Sequence, residues 1–249
     1  MTFKDWLVGN LGPESDFQYQ AIHIITTIVV VLVTILFAFL GANKKISDKS
    51  KKSILISISV FQLVFEVLWR LIFLFVKKTD AINLWPMYPC NVGGILIPLF
   101  AILNLKKGKQ MFYLFGFVGG ILTFAMPEGI FVYDVMVFPI LKSVLQHTGL
   151  LIIPVFEYAS KTFKPSTRYY LWVILGCLIH LFNCEVIDRW FGFEGDYMFF
   201  RSGLPFVIPG IPQYITFSIF GATVLYLLSF LCDIKDSLLF NKSILKKHL

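Results

Sequence analysis

Charge is scarce in this chain. Only 15% of its 249 residues are charged, against roughly a quarter in soluble domains, while 57% are hydrophobic and the mean hydropathy is +0.77. That balance excludes an ordinary soluble domain and marks a polytopic membrane protein. Cysteine is also sparse: Cys90, Cys177, Cys184 and Cys232 show no C-x-x-C spacing, so neither a zinc framework nor a disulfide scaffold is indicated. A G-x-S-x-G elbow, an H-E-x-x-H helix and a P-loop are all missing, and the expectation is no metal and no cofactor. Linkers, low-complexity tracts and internal repeats are absent too, which reads as a single domain over 1–249. A cleavable signal is not expected: Lys4, Asp5, Glu14 and Asp16 precede an apolar run too long for an h-region, with no small-residue cleavage site after it.

What the chain does have is apolar runs. They predict an all-α bundle of seven transmembrane helices at 20–41, 54–76, 89–105, 111–126, 139–158, 169–186 and 211–231, the third and fourth at the short edge of the spanning range. Residues 1–19 read as an interfacial segment and 233–249 as a basic cytoplasmic tail. Alternate loops hold fifteen lysines and arginines, among them Lys44, Lys45, Lys106, Lys161 and Lys246, and the opposite loops hold five, such as Lys77 and Arg189. By the positive-inside rule the amino terminus lies outside and the carboxyl tail in the cytoplasm. The formal charge of +7 is thereby a matter of topology, and no nucleic-acid partner is needed to explain it. Membrane lipids are the expected partners; the sequence does not give the oligomeric state.

Polar residues inside the spans fall in one layer. With about 1.5 Å of rise per residue, Glu66, Arg70, Cys90, His147, His180 and Asn183 lie about 16–24 Å from the cytoplasmic ends of their helices, with His23 and Gln213 a little further out. The cytoplasmic half reads as almost wholly apolar. Buried ionisable groups in a membrane face a partner or a wet cavity, so a layer drawn from several helices predicts a pocket that opens outward. Its focus is Leu84-Trp85-Pro86-Met87-Tyr88-Pro89-Cys90-Asn91-Val92-Gly93-Gly94. Pro89 suits the first position of a helix, which places Cys90 in the first turn, where the helix dipole favours a reactive thiolate.

Each residue also has a plainer reading. Cys90 can be a small packing residue, and Glu66 and Arg70, four apart, can neutralise each other instead of meeting a substrate charge. His180 and Asn183 can be hydrogen-bonding glue between helices. A Cys90–Cys184 disulfide is a further, minor alternative. His147, at the depth of Cys90, is the natural base for a cysteine nucleophile.

These residues resemble the bacterial YwaF-type integral membrane family and, more distantly, the eukaryotic transmembrane phospholipid acyltransferases thought to use a Cys/His pair. The resemblance rests on Pro86 four residues before Cys90, on Phe115-Gly116-Phe117-Val118-Gly119-Gly120 running to Pro127, and on His147. Asn183, Tyr197-Met198-Phe199 and Pro209-Gly210-Ile211-Pro212 extend it. It implies Cys90 as the acyl-accepting nucleophile and His147 as its base, in a multi-pass protein of the bacterial cell membrane. Tyr88 departs from the histidine that bacterial relatives often carry there, which removes a second base. Arg70, Glu66, Asn91, His180, Asn183, Tyr197 and Gln213 form the expected substrate-binding set. The implied activity is acyl transfer or lipase-like chemistry on phospholipid or glycerolipid chains; the alternative is a transporter or binding protein for a small polar solute at the same layer.

Overall fold

The computed structural model describes residues 2–106, 108–127, 129–192, 210 and 213–245. Among these the chain is helical and contains no strand. A short α1 (Phe3–Val8) precedes α2 (Ala21–Ala42), α3 (Asp48–Phe75), α4 (Pro89–Ile102), α5 (Lys109–Ala125) and α6 (Phe138–Ala159). After these come α7 (Tyr170–Leu181), a π-helical stretch Phe182–Ile187, α8 (Asp188–Phe191) and α9 (Gln213–Leu245). Five helical stretches are long and apolar enough to cross a membrane: Ala21–Ala42, Asp48–Phe75, Phe138–Ala159, Thr167–Phe191 and Ser218–Lys235. Helices α4 and α5, with 14 and 17 residues, rise only about 21 and 26 Å, less than a hydrocarbon core of about 30 Å.

The boundaries move in instructive places. Helix α3 begins six residues before the apolar run because Ser47 caps it, its hydroxyl accepting from the Ser50 N–H. At the other end of the chain α9 continues to Leu245, so most of the expected tail is helical. In α4 the helix stops at Ile102, and Asn104 turns the chain in the left-handed region.

Helix α6 is the axis of the bundle. It packs against α1, α2, α3, α4 and α5, and 61% of its apolar 18-residue stretch is buried, compared with 11–22% in the other long apolar helices. Outer helices show lipid-like faces instead, as α2 does with Ile24, Ile25, Ile28, Leu32 and Leu36 exposed. Ile97, Leu150, Ile153 and Phe156 form the centre of the main apolar cluster. Helix α1 docks on the start of α6, where the Trp6 indole N–H donates to Met136 O at 2.9 Å. Hydrogen bonds from Thr2 to its cap partner Asp5 hold that carboxyl below the usual carboxylate range. Asp233 of α9 accepts from the Thr167 N–H at 2.8 Å and from its hydroxyl at 2.7 Å, tying α9 to the entry of α7.

Small residues set the close approaches. A Cβ added to Gly116 would run into Ile97 of α4, and one on Gly120 would come within 2.9 Å of Leu151 of α6. The pair therefore serves two neighbours, with a different helix on each. At Gly176 of α7 an added Cβ would sit 2.5 Å from the Met111 carbonyl oxygen of α5, and backbone cannot step aside as a side chain can. Gly119 has nothing within 4 Å. Gly176→Ala should therefore destabilise the detergent-solubilised protein by about 1–3 kcal/mol in thermal unfolding, while Gly119→Ala should be neutral or gain up to about 1 kcal/mol.

Candidate functional site

Cys90 occupies the first turn of α4 directly after Pro89. The approach to that turn is rich in proline, which supplies carbonyls but few N–H groups to pair with them. The π-helical stretch provides the donors. Asn183 Nδ2 donates to Pro86 O at 2.8 Å and to Met87 O at 3.1 Å, while its Oδ1 accepts from the Trp85 indole at 2.8 Å. Cys184 Sγ adds a contact of 3.3 Å to Met87 O. Extra-residue bulges of this kind re-aim side chains, and here the bulge points an amide and a thiol at the turn that carries Cys90. Both amide hydrogens of Asn183 are committed to this task. Cys90, Cys177 and Cys184 carry thiols, with no disulfide between them.

Beneath the turn lies a connected polar group from three helices. Glu66, 1% exposed, takes Arg70 Nη1 at 2.5 Å, the Trp69 indole at 2.8 Å and Gln62 Nε2 at 3.4 Å. Gly94 lets α4 close on it: a Cβ there would lie 2.8 Å from Glu66 Oε1 and 3.0 Å from Gln146 Nε2. Gln146 in turn donates to Cys90 O and to Asn91 Oδ1, both at 2.8 Å, and Lys142 Nζ reaches Asn91 Oδ1 at 3.1 Å. The Trp69 ring has Arg70 Cζ 4.5 Å and Lys142 Nζ 4.2 Å from its centroid. Two buried atoms of this group have no partner among the described residues, Arg70 Nη2 and Gln146 Oε1.

Of the residues expected from sequence, Glu66, Arg70, Cys90 and Asn91 come together here. His147 is buried one residue along α6 from Gln146, and its ring stands edge-on to Phe124 of α5 with centroids 6.4 Å apart. Its Nδ1 lies 2.7 Å from Ser143 O, which can only accept, so Nδ1 carries the proton and Nε2 the lone pair. No hydrogen bond joins His147 to Cys90. His180 is set among aromatics, 4.6 Å from the Phe115 ring and 6.0 Å from Phe112. His23 bridges α2 and α5, accepting from the Tyr19 N–H at Nδ1 and holding Phe124 O at 2.9 Å through Nε2. Tyr197 and the Gln213 side chain lie outside the described residues. Lys142, Gln146 and Trp69 are the members that the sequence reading passed over; their signal is the spacing of four from Lys142 to Gln146 and on to Leu150 along one face of α6.

A second polar cluster occupies the far ends of α5 and α6, where an apolar interior was expected. Lys109, 4% exposed, pairs with Glu157, 0% exposed, at 2.5 Å, and the Tyr113 hydroxyl donates to Glu157 at 3.1 Å. Lys109 reads as a loop residue because it opens its helix, and only packing shows that it turns inward. Ile97, Leu150 and Ile153, at 0–1% exposure, separate the two clusters. Among the described residues no His, Cys, Asp or Glu gather in a group of three that could hold a metal.

The pinning of the Cys90 turn can be tested directly. Asn183→Leu leaves the Pro86 and Met87 carbonyls unpaired at a cost of about 1–3 kcal/mol, so alkylation of Cys90 in a background without other cysteines should accelerate. An unchanged rate would mean that Asn183 does not hold the turn.

A model of the TMEM164 family matches residues 17–231. No curated protein and no solved structure matches the chain. The match covers most of the sequence, and the chain belongs to the TMEM164 family, a family of multi-pass membrane proteins.

Proposed function

We propose that this member of the TMEM164 family is a membrane acyltransferase that takes a fatty acyl chain from a glycerolipid onto Cys90 as a thioester. The observation that carries the reading is the setting of Cys90: a thiol in the first turn of a helix, on a pinned turn, against a polar group inside an apolar bundle. In the first half-reaction His147 Nε2 takes the thiol proton, Sγ attacks the ester carbonyl, the C–O bond breaks, and the leaving alkoxide collects the proton. In the second half an acceptor alcohol gives its proton to His147, its oxygen attacks the thioester, the C–S bond breaks, and the leaving thiolate takes the proton back from His147 to restore Cys90.

The Ser143 contact leaves His147 the tautomer a base needs. The resting structure has no bond from imidazole to thiol, because α6 turns His147 toward Phe124; on this reading the imidazole reaches Cys90 only in the lipid complex, by turning toward it or through water. The Asn91 and Val92 N–H groups of the first turn of α4 donate to Tyr88 O, which leaves the Cys90 N–H to serve the oxyanion. Arg70 keeps Nη2 for a polar oxygen of the donor. Asn183, its amide fully engaged, acts on this reading by holding the Cys90 turn, and His180, Tyr197 and Gln213 complete the proposed lining. With water as acceptor the same steps give a lipase. Kinship with the bacterial YwaF-type proteins, seven spans, an outside amino terminus and residence in the bacterial cell membrane belong to this reading.

Transport of a small polar solute is the weaker reading. The second polar cluster would be its natural relay, but it is internally paired, and the buried apolar Ile97, Leu150 and Ile153 lie between the two along α4 and α6. In reconstituted vesicles holding a labelled phospholipid, Cys90→Ser should abolish transfer of the acyl label, and His147→Ala should slow it by about 10²-fold or more. Full transfer by either variant would remove that residue from the mechanism.

A further inference from the structure

We propose that the cavity beside Trp69 is an anion site that seats the phosphate of a membrane phospholipid. The cavity, of about 470 Å³, opens between the end of α3 and the start of α6, and its walls include Trp69, Phe73, Lys77, Thr79, Pro139 and Lys142. Its two cations are held by aromatic rings: Lys77 Nζ lies 4.9 Å from the Phe73 centroid and Lys142 Nζ 4.2 Å from that of Trp69. Neither lysine forms an ion pair with a carboxylate among the described residues, whereas the nearby Glu66 charge is matched by Arg70. Two unmatched positive charges in a recess that also receives the positive end of α6 form a place for an anion.

The walls argue for a lipid over a free phosphate. Trp69, Phe73 and Pro139 offer apolar surface that an inorganic ion leaves uncovered and a glycerol backbone with its upper methylenes covers. Lys142 ties the wall of the cavity to the Cys90 turn through its hydrogen bond of 3.1 Å to Asn91 Oδ1. The ester carbonyls of a phospholipid lie only a few bonds from its phosphate. As the seat of the acyl donor this site rests on the acyl-transfer reading; as an anion site it stands on its own.

The test uses the full chain in detergent with Cys90→Ala to stop chemistry, titrated calorimetrically with dioctanoyl phosphatidylglycerol, dioctanoylglycerol or inorganic phosphate. Phosphatidylglycerol should bind, with each of Lys77→Gln and Lys142→Gln weakening it about five-fold, as one interfacial lysine is worth. Dioctanoylglycerol and inorganic phosphate should bind more weakly than the lipid. Affinity for phosphatidylglycerol unchanged by Lys77→Gln, an exposed position that leaves the bundle intact, would overturn the site; so would inorganic phosphate binding as tightly as the lipid. Lysine-dependent binding in a protein whose native Cys90 never acylates supports the anion site and removes the acyl-transfer reading. A thioester on Cys90 with lysine-independent binding does the reverse.

Discussion

A carboxylate buried among helices dominates this molecule. Glu66 has almost no exposed surface, and an isolated charge at that depth would cost several kcal/mol. Its neutralisation organises the neighbourhood. Arg70 and Trp69 come from its own helix one turn away, Gln62 comes from the turn before, and the missing side chain of Gly94 lets α4 seat against it. The same close approach brings Gln146 under the Cys90 carbonyl. The position of the thiol and the satisfaction of the buried acid are consequences of one packing solution.

Around this group the bundle divides its polar content. The Glu66 cluster has atoms without a partner among the described residues, Arg70 Nη2 and Gln146 Oε1, and borders a cavity. In the other cluster, Lys109, Tyr113 and Glu157 satisfy one another in a closed set. A closed set is what a structural pair needs, and free donors and acceptors beside a recess are what a binding site needs. The contrast supports our proposal that the chemistry lies at the end of the bundle where α4 begins.

Much of this was legible in the sequence because it depends on local spacing. The i, i+4 step from Glu66 to Arg70, the helix start at Pro89 and the small pair Gly116 and Gly120 each need only helical geometry. What was not legible depends on azimuth and on neighbours. Depth put His147 level with Cys90, but α6 turns Gln146 toward the thiol's helix and His147 toward Phe124. Lys109 begins its helix like any loop lysine, and only Glu157, 48 residues later, draws it inward. The length of α9 past the apolar run was hidden for a related reason: its polar continuation carries no hydropathy signal, although the helix itself goes on to Leu245.

An acyl thioester on Cys90 is a covalent adduct, so mass is its most direct measure. Wild-type protein incubated with a phospholipid of defined acyl chain, then digested and analysed by mass spectrometry, should carry one acyl group on the Cys90 peptide. Neutral hydroxylamine should release it, and Cys90→Ala should lack it. Phospholipid turnover with Cys90 unmodified, or an adduct on another residue, would contradict the account.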